Sequence, residues 1–212
     1  MLNVTVVDYG ASNLLNVVHA LEHCGVSVKV VESACDIKKA DRLVLPGVGA
    51  FQDGMASLNE KGLISGIVDF IASERPYLGI CLGMQFLFDE SFEFGLTKGF
   101  GIFSGEVCQI PSESNGLKRR IPHIGWAPIN SDPNLLTFSS PLLKDIKVDD
   151  SFYFVHSFMC IPQNKKIISS VTDYLGTKIA ASISYNNIHG TQFHPEKSGE
   201  MGLKILRNFL EM

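Results

Sequence analysis

Four short, strongly apolar runs in the first half of the sequence constrain the fold of this chain more than any other feature. They cover residues 3–7, 26–31, 43–45 and 77–80. Strands that are apolar along nearly their whole length are typical of a parallel sheet covered on both faces. Longer stretches with helical patterns separate the runs. This β-α-β-α order predicts an α/β fold with a doubly wound, mostly parallel central sheet flanked by helices.

The helical stretches are recognised by apolar residues that recur every three or four positions. We predict a first helix at about 13–24, followed by Gly25 in the position that helix carboxyl ends favour. Further helices extend to about residue 74, and a last helix is predicted at about 200–210. The predicted apolar faces consist of Leu14, Val17, Val18 and Leu21 in the first helix, and of Met201, Ile205 and Phe209 in the last.

The second half of the chain carries shorter β-type runs, at 105–110, 152–158, 179–185 and 190–193, broken by proline and glycine. These runs predict a mixed or antiparallel extension of the sheet. The length of 212 residues suits one α/β domain. We therefore expect a single domain over residues 1–212.

Composition and charge exclude several classes of function. The formal net charge is −4 and the only basic run is at 118–120, which we interpret as a solvated loop. Nucleic-acid binding is therefore not expected, because phosphate contacts need clustered cations. No apolar stretch reaches the roughly 18–20 residues of a membrane span, and no signal-peptide core is present, so a cytoplasmic protein with no membrane partner is predicted. Five cysteines without a Cys-x-x-Cys pair predict reduced thiols, with neither a metal nor a cofactor.

One cysteine lies in a chemically distinctive context. The sequence Gly-Ile-Cys-Leu-Gly at 79–83 has the form of a nucleophile elbow, in which a strand turns sharply into a helix and lifts the nucleophile out of the sheet. Glycine two positions to either side allows close passage of the backbone. The following helix amino terminus favours a thiolate at Cys81. The alternative is a buried cysteine between two structural glycines.

A cysteine nucleophile requires a base, and the base requires an orienting carboxylate. Gln-Phe-His-Pro-Glu at 192–196 offers both after a β-type run. Pro195 fixes the backbone between His194 and Glu196, so that the carboxylate can reach back to the imidazole. His156 competes for the role of base, but no carboxylate follows it in a rigid turn. We interpret it as a structural or interface residue, together with His19, His23, His123 and His189.

Two motifs together resemble the class I glutamine amidotransferases, which use a cysteine triad. They are Gly-Ile-Cys-Leu-Gly-Met-Gln at 79–85 and Gln-Phe-His-Pro-Glu-Lys-Ser at 192–198. Four further elements resemble the glutaminase subunit of imidazole glycerol phosphate synthase, so the likeness spans nearly the whole chain. These elements are Asp-Tyr-Gly at 8–10, Leu-Pro-Gly-Val-Gly-Ala-Phe at 45–51, Pro-His-Ile-Gly-Trp at 122–126 and Tyr-Phe-Val-His-Ser at 153–157.

The resemblance implies the class I amidotransferase fold and hydrolysis of L-glutamine to glutamate and ammonia. Cys81 is then expected to attack the side-chain amide of glutamine, His194 to move protons, and Glu196 to hold the imidazole tautomer. Main-chain N–H groups near the nucleophile are expected to stabilise the oxyanion. Substrate contacts are predicted from Gln85 and from the main chain of Gly47, Val48, Gly49, Leu82, Ser157 and Phe158.

The same resemblance implies a partner. In that family, a (β/α)8-barrel synthase (cyclase) subunit forms a heterodimer with the glutaminase and uses its ammonia in histidine biosynthesis. Residues that match the family's interface elements are Asn13, Trp126, Tyr153 and Lys197. Core packing is the alternative for Trp126, and an ordinary surface position is the alternative for Lys197.

Three departures from the family pattern leave other partners open. Ala127 and Ser12 replace the usual asparagine and glycine, and residues 102–105 depart from the usual sequence. None of these positions belongs to the triad. One alternative is a paralogous subunit that supplies ammonia for amidating a surface-polysaccharide sugar. A second is a non-catalytic scaffold that activates a partner synthase.

Overall fold

The first half of the chain contains the predicted alternation of strands and helices. The structure is a computed structural model that describes residues 3–10, 13–114, 116–131 and 138–212. Ser12, one of the departures from the family pattern, lies outside these residues. The elements are β1 (Asn3–Val7), α1 (Leu14–His23), β2 (Ser27–Val31), α2 (Ala34–Ile37), β3 (Leu43–Gly47), α3 (Phe51–Glu60), α4 (Ile64–Ala72), β4 (Tyr77–Cys81) and α5 (Leu82–Gln85).

The second half consists mainly of short strands and ends in one helix. Three single-turn 3-10 helices, at Pro141–Leu143, Lys165–Ile167 and Pro195–Lys197, join some of them. The elements are β5 (Phe88–Ser91), β6 (Thr97–Lys98), β7 (Phe103–Gln109), β8 (Glu113–Ser114), β9 (Leu117–Lys118), β10 (His123–Pro128), β11 (Ser151–His156), β12 (Phe158–Pro162), β13 (Ile168–Tyr174), β14 (Thr177–Tyr185), β15 (Ile188–Thr191) and α6 (Gly199–Leu210).

The central sheet has seven strands in the order β13-β14-β15-β4-β3-β1-β2. The five strands from β15 to β2 are parallel, and β13 and β14 add an antiparallel extension. The predicted fold class is therefore confirmed. Gly47 at the end of β3 pairs with Cys81 at the end of β4, and β15 ends beside them at Thr191. Ligand sites in such folds lie at the carboxyl ends of the parallel strands.

Two smaller sheets cover this end of the molecule, and they correct one prediction. The run at 152–158 is not a single strand: β11 pairs with β10 in a two-stranded antiparallel sheet, whereas β12 joins a four-stranded sheet of order β12-β7-β5-β6. Ser157 lies between β11 and β12, at the point where the chain passes from one sheet to the other, and its carbonyl accepts a hydrogen bond from the N–H of Ile110. The alternation of apolar residues is the same on both sides of Ser157, so the sequence pattern did not reveal the change of partner.

Burial follows position in the sheet. Val4, Val6 and Val7 of β1 are fully buried, as expected of an inner strand. In β2 only Val31 is buried and Val30 is 41% exposed, because β2 is an edge strand. The predicted helix faces hold where the helices pack on the sheet: Val17 and Leu21 in α1, and Ile205 and Phe209 in α6, are buried.

The interpretation of residues 118–120 as a solvated loop is wrong for Arg119. Its side chain is buried and donates hydrogen bonds to the carbonyl of Leu175, in the turn between β13 and β14, and to the hydroxyl of Thr177, the first residue of β14. Acceptors far along the chain make burial of the guanidinium possible. Separately, none of the helices within the described ranges is long and apolar enough to cross a membrane.

Candidate active site

Cys81 occupies a strained turn between β4 and α5. Its φ is +53° and its ψ is −104°, a combination that side-chain-bearing residues rarely adopt. A Cβ atom at Gly79 would overlap the carbonyl of Gly83, and one at Gly83 would overlap the carbonyl oxygen of Leu45. The two glycines are therefore required by the close approach of α5 to β3 and β4. This geometry is that of the predicted nucleophile elbow.

His194 and Glu196 form a buried pair at the carboxyl end of the sheet. The Nδ1 atom of His194 lies 2.8 Å from Oε1 of Glu196, and the two side chains are 2% and 1% exposed. The single 3-10 turn Pro195–Lys197 brings the carboxylate back to the ring. Because a carboxylate only accepts, Nδ1 carries the hydrogen of this bond. The other ring nitrogen, Nε2, is buried and has no hydrogen-bond partner at standard length among the described residues.

Opposing effects act on the pKa of the His194 imidazole. Burial alone would lower this pKa, but the charge of Cys81, the hydrogen bond to Glu196 and the charge of Glu196 raise it to about 10. The direction of the net shift favours an imidazolium at neutral pH. A ring in that state can pair with a thiolate and can donate a proton to a leaving group.

The loop that carries His194 is attached to β11 through main-chain bonds. The N–H of His194 donates to the carbonyl of Tyr153 at 2.9 Å, and the N–H of Tyr153 donates to Oγ of Ser198 at 3.0 Å. The Ser198 hydroxyl in turn donates to the carbonyl of His194 at 2.6 Å. Three bonds thus close a ring between one residue of β11 and the two ends of the loop.

A cleft of about 660 Å³ opens over Cys81. A second cavity of about 710 Å³, lined in part by Asp89, Glu90 and Lys98, contains no residue of the triad. The cleft at Cys81 is therefore the candidate substrate site. The predicted residues that line this cleft are Asn13, Val48, Gly49, Cys81, Leu82, Gln85, Ser157, Phe158 and Lys197.

Gly47 differs from the other predicted substrate contacts because it lies beneath the cleft and is buried. A Cβ atom there would overlap the hydroxyl of Tyr9 and lie 2.8 Å from Cβ of Leu82. The absence of a side chain at this position lets β3 pass directly under the elbow. A direct contact between Gly47 and the substrate stays a prediction.

Gln85 and the segment after β11 are connected within the cleft. The Nε2 atom of Gln85 donates to the carbonyl of Phe158 at 3.2 Å and to Oε1 of Gln192 at 3.1 Å. The carbonyls of Ser157 and Phe158 are therefore both occupied by protein donors. The carbonyl of Phe158 also accepts from Nδ1 of His156, so any contribution of Phe158 to substrate binding has to come from its other atoms, whereas the carbonyl of Ser157 keeps a second lone pair.

Glu93 was not predicted from the sequence. It is the one carboxylate among the described residues that line the cleft. Its Oε2 accepts a hydrogen bond of 2.7 Å from the N–H of Phe51 at the start of α3, and its pKa is raised mainly by burial. Glu93 lies between β5 and β6, where no motif or periodic pattern distinguishes it from a surface residue. Only the folded arrangement places it near Cys81.

His156 lines the cleft but lacks the features of a base. Its Nδ1 donates to the carbonyl of Phe158 at 2.8 Å, and its Nε2 lies 3.1 Å from Nδ1 of His123. Burial lowers the pKa of His156 to about 3 and that of His123 to about 4. Both rings are therefore neutral at pH 7. These contacts agree with the interpretation of His156 as a structural residue.

Three of the predicted interface residues form one exposed cluster. Trp126 is 59% exposed, which argues against the alternative of core packing. Its ring lies edge-on to that of Tyr153 at 6.2 Å between centroids, and Nζ of Lys197 lies 5.9 Å from the centre of the Tyr153 ring. Asn13 precedes α1 without capping it, so its side chain makes no capping hydrogen bond.

Known proteins are similar to this chain along nearly its whole length. The family described as "Glutamine amidotransferase class-I" matches residues 5–212. The chain is 46% identical to "Imidazole glycerol phosphate synthase subunit HisH 1" of Legionella pneumophila (strain Lens) over 100% of both chains. It is also 46% identical to "Imidazole glycerol phosphate synthase hisHF, chloroplastic" of Arabidopsis thaliana, over 98% of this chain and 34% of that one. Among solved structures, PurLQS from Thermotoga maritima matches with a TM-score of 0.71 and 22% identity, over 100% of this chain and 99% of that chain.

Proposed function

This chain belongs to the class I glutamine amidotransferases and, within them, to the HisH-type subunits of imidazole glycerol phosphate synthase, and we propose that it hydrolyses L-glutamine and supplies the ammonia to a synthase partner. The observation that carries the proposal is the strained Cys81 at the base of a cleft, beside the buried His194–Glu196 pair. Relatives of this kind over the whole length do not favour the polysaccharide paralogue. A complete triad does not favour the non-catalytic scaffold.

The chemistry divides into two steps. The sulfur of Cys81 attacks the side-chain amide carbon of glutamine, and the carbonyl oxygen becomes an oxyanion. The carbon–nitrogen bond then breaks, the nitrogen takes a proton from Nε2 of His194, and ammonia leaves a thioester on Cys81. His194 next removes a proton from water, which attacks the thioester, so that glutamate departs and the thiol is regenerated. Throughout, Glu196 holds Nδ1–H and stabilises the imidazolium.

Main-chain donors near Cys81 stabilise the oxyanion in this proposal. Leu82 is the first residue of α5, and the first N–H groups of a helix have no partner within it. Val48 and Gly49 lie across the cleft from Leu82. Such donors act at the point where charge develops, so each contributes roughly 10²–10³ to the rate in comparable sites.

The cleft also offers a binding site for the amino-acid end of glutamine. Because the NH₂ group of Gln85 faces two acceptors, its Oε1 remains as an acceptor for the α-ammonium of the substrate. Glu93 supplies a negative charge on the same cleft, and only one of its oxygens caps α3. Together, Gln85 and Glu93 account for recognition of an amino acid rather than of a simple amide.

Replacing Glu93 with glutamine is expected to raise the KM for glutamine about tenfold and to leave kcat within about threefold. One charge-assisted hydrogen bond to the α-ammonium is lost, whereas the isosteric amide can still accept from the N–H of Phe51. Steady-state glutaminase kinetics of the assembled synthase provide the measurement. Asp53→Asn, which removes an exposed carboxylate nearby, is the matched control. An unchanged KM in Glu93→Gln would show that this carboxylate does not contact the substrate.

We propose a (β/α)8-barrel, HisF-type synthase subunit as the partner, in a heterodimer that serves histidine biosynthesis. The Arabidopsis relative supports this pairing, because the part that matches this chain is 34% of a single protein named as the synthase. The docking surface is the cluster of Trp126, Tyr153 and Lys197, with Asn13 at the mouth of the cleft. Neither nucleic acid nor membrane is part of the proposal, and the domain extends over residues 1–212. A cytoplasmic location remains a prediction from the sequence.

The test of the proposal measures glutamate release by the chain alone and with a HisF-type subunit and its ribotide ligand. We expect hydrolysis to rise sharply in the complete mixture. In Trp126→Ala the affinity between the subunits should fall roughly thirtyfold, as for an exposed aromatic anchor. Val30→Ala, an exposed apolar change on the edge strand β2, is the control. Hydrolysis that requires Cys81 but ignores the barrel would point to another synthase, and no hydrolysis in any mixture would point to the scaffold.

A further inference from the structure

We propose that Gln192 is a positioning residue that holds the sulfur of Cys81 for attack, in an orientation imposed by Gln85 and the carbonyl of Phe158. The inference rests on the proposed glutaminase function and deepens it. Gln192 belongs to the motif at 192–198, but the triad mechanism gives it no role. It lies 111 residues from Cys81 along the chain and is fully buried against it.

The contact between the two side chains is a hydrogen bond to sulfur. The Nε2 atom of Gln192 donates to Sγ of Cys81 at 3.5 Å, within the longer range that sulfur acceptors allow. A donor aimed at sulfur stabilises negative charge on it and restricts the rotation of the Cys81 side chain. His194 acts on the same sulfur from the triad. The sulfur is therefore held by a hydrogen bond from Gln192, and it lies close enough to His194 for its charge to act on the imidazole.

An amide beside a sulfur atom could present either its NH₂ group or its oxygen, and the surrounding bonds select the NH₂ group. The carbonyl of Phe158 can only accept, so the NH₂ group of Gln85 must face it. The second hydrogen of that NH₂ group is then directed at Gln192, which must accept it through Oε1. This leaves Nε2 of Gln192 facing Cys81. The carbonyl of Phe158 therefore determines which group donates and which accepts in each hydrogen bond from Gln85 to Cys81.

The carbonyl of Phe158 is itself held in place. His156 donates to it from Nδ1 at 2.8 Å, and the neutral ring of His156 then accepts from Nδ1 of His123 at 3.1 Å. His123 is stacked between the rings of Phe154 and Tyr174. The acceptor that orients both glutamines is therefore anchored by a packed pair of rings rather than by a solvent-exposed loop.

The reactivity of Cys81 toward iodoacetamide, measured in the full chain from pH 5 to 10, tests the proposal without glutamine or a partner. Gln192→Met keeps the size of the side chain and removes the donor. We expect it to slow alkylation at pH 7 roughly tenfold and to move the pH profile to higher pH. Gln192→Glu, which places an acceptor or a negative charge beside the sulfur, should move the profile further. Thr191→Val, which removes a neighbouring buried hydroxyl that has no hydrogen-bond partner among the residues the structure describes, should leave the profile unchanged.

Steady-state kinetics distinguish a positioning role from simple packing. In the assembled synthase, Gln192→Met should lower kcat about tenfold while the KM for glutamine stays within about twofold. If the Gln192 variants do not fold, Gln85→Met provides the second route, because it frees the Gln192 amide to turn and should shift the alkylation profile in the same direction. A folded Gln192→Met or Gln85→Met chain with the wild-type profile would overturn the proposal. A shifted profile without hydrolysis in any mixture would instead refute the proposed function alone.

Discussion

Replacing Cys81 with alanine is expected to abolish glutamine hydrolysis by the assembled synthase, with a loss of roughly 10⁴-fold or more, and to leave synthesis from ammonium salts intact. The change removes the sulfur that acts as the nucleophile in the proposed mechanism. It leaves the site of the proposed partner unchanged, and we expect that site to use ammonia supplied from solution. Alanine and cysteine differ only in the sulfur atom, so the strained backbone at φ +53° meets the same steric demand in both.

Glutamate release and ammonia-dependent synthesis are measured on the same preparation. Cys35→Ala, which removes an exposed thiol on α2, serves as the control and should retain both activities. Sites of this kind retain far less than about 1% of the wild-type rate when their nucleophile is removed. Hydrolysis by Cys81→Ala above that level would therefore exclude a covalent thioester mechanism. Loss of ammonia-dependent synthesis would show instead that the variant no longer assembles.

Replacing Glu196 with glutamine is expected to lower kcat roughly 10⁴-fold with little change in the KM for glutamine, as in triads where the orienting carboxylate becomes an amide. Glutamine in this position can present its NH₂ group to Nδ1 and so select the wrong tautomer of His194. The negative charge that helps to raise the pKa of His194 is also lost, while burial, which lowers that pKa, remains. The proton on the ring is therefore held less firmly.

The pH dependence of kcat provides a second readout of this change. The alkaline limb of the profile, where the imidazolium loses its proton, should move to lower pH in Glu196→Gln, because the pKa of His194 falls when the carboxylate is removed. Glu200→Gln, an exposed change in the first turn of α6, is the matched control. A loss of only a few-fold, with an unmoved alkaline limb, would mean that Glu196 neither orients nor charges the ring.

The sequence alone predicted those parts of the site that depend on local geometry. The glycines around Cys81 are needed where α5 crosses β3 and β4, and Pro195 shortens the turn that joins His194 to Glu196. In both cases the chemical groups and the residues that bend the backbone lie within five positions of each other. A single stretch of sequence therefore contains both the function and its structural cause.

The remaining parts of the site depend on contacts between distant segments. Glu93 reaches the cleft because β5 and β6 join a separate sheet, and nothing in its neighbourhood predicts that position. Gln192 was within a recognised motif, but its contact with Cys81 exists only when β15 lies beside β4. Trp126 could equally have filled a core, since an aromatic residue in a strand has the same pattern whether its face is covered or open.

The attachment of His194 to Tyr153 has a mechanical consequence. The main chain of Tyr153 accepts from the N–H of His194 and is bonded through Ser198 to its carbonyl, while the ring of Tyr153 lies between Trp126 and Lys197 on the surface. A protein that pressed on this surface and shifted β11 would therefore act directly on the loop that carries His194, the base of the proposed mechanism. The surface proposed for docking and the residue proposed to move protons are therefore linked directly through the main chain of Tyr153, without a path through the core.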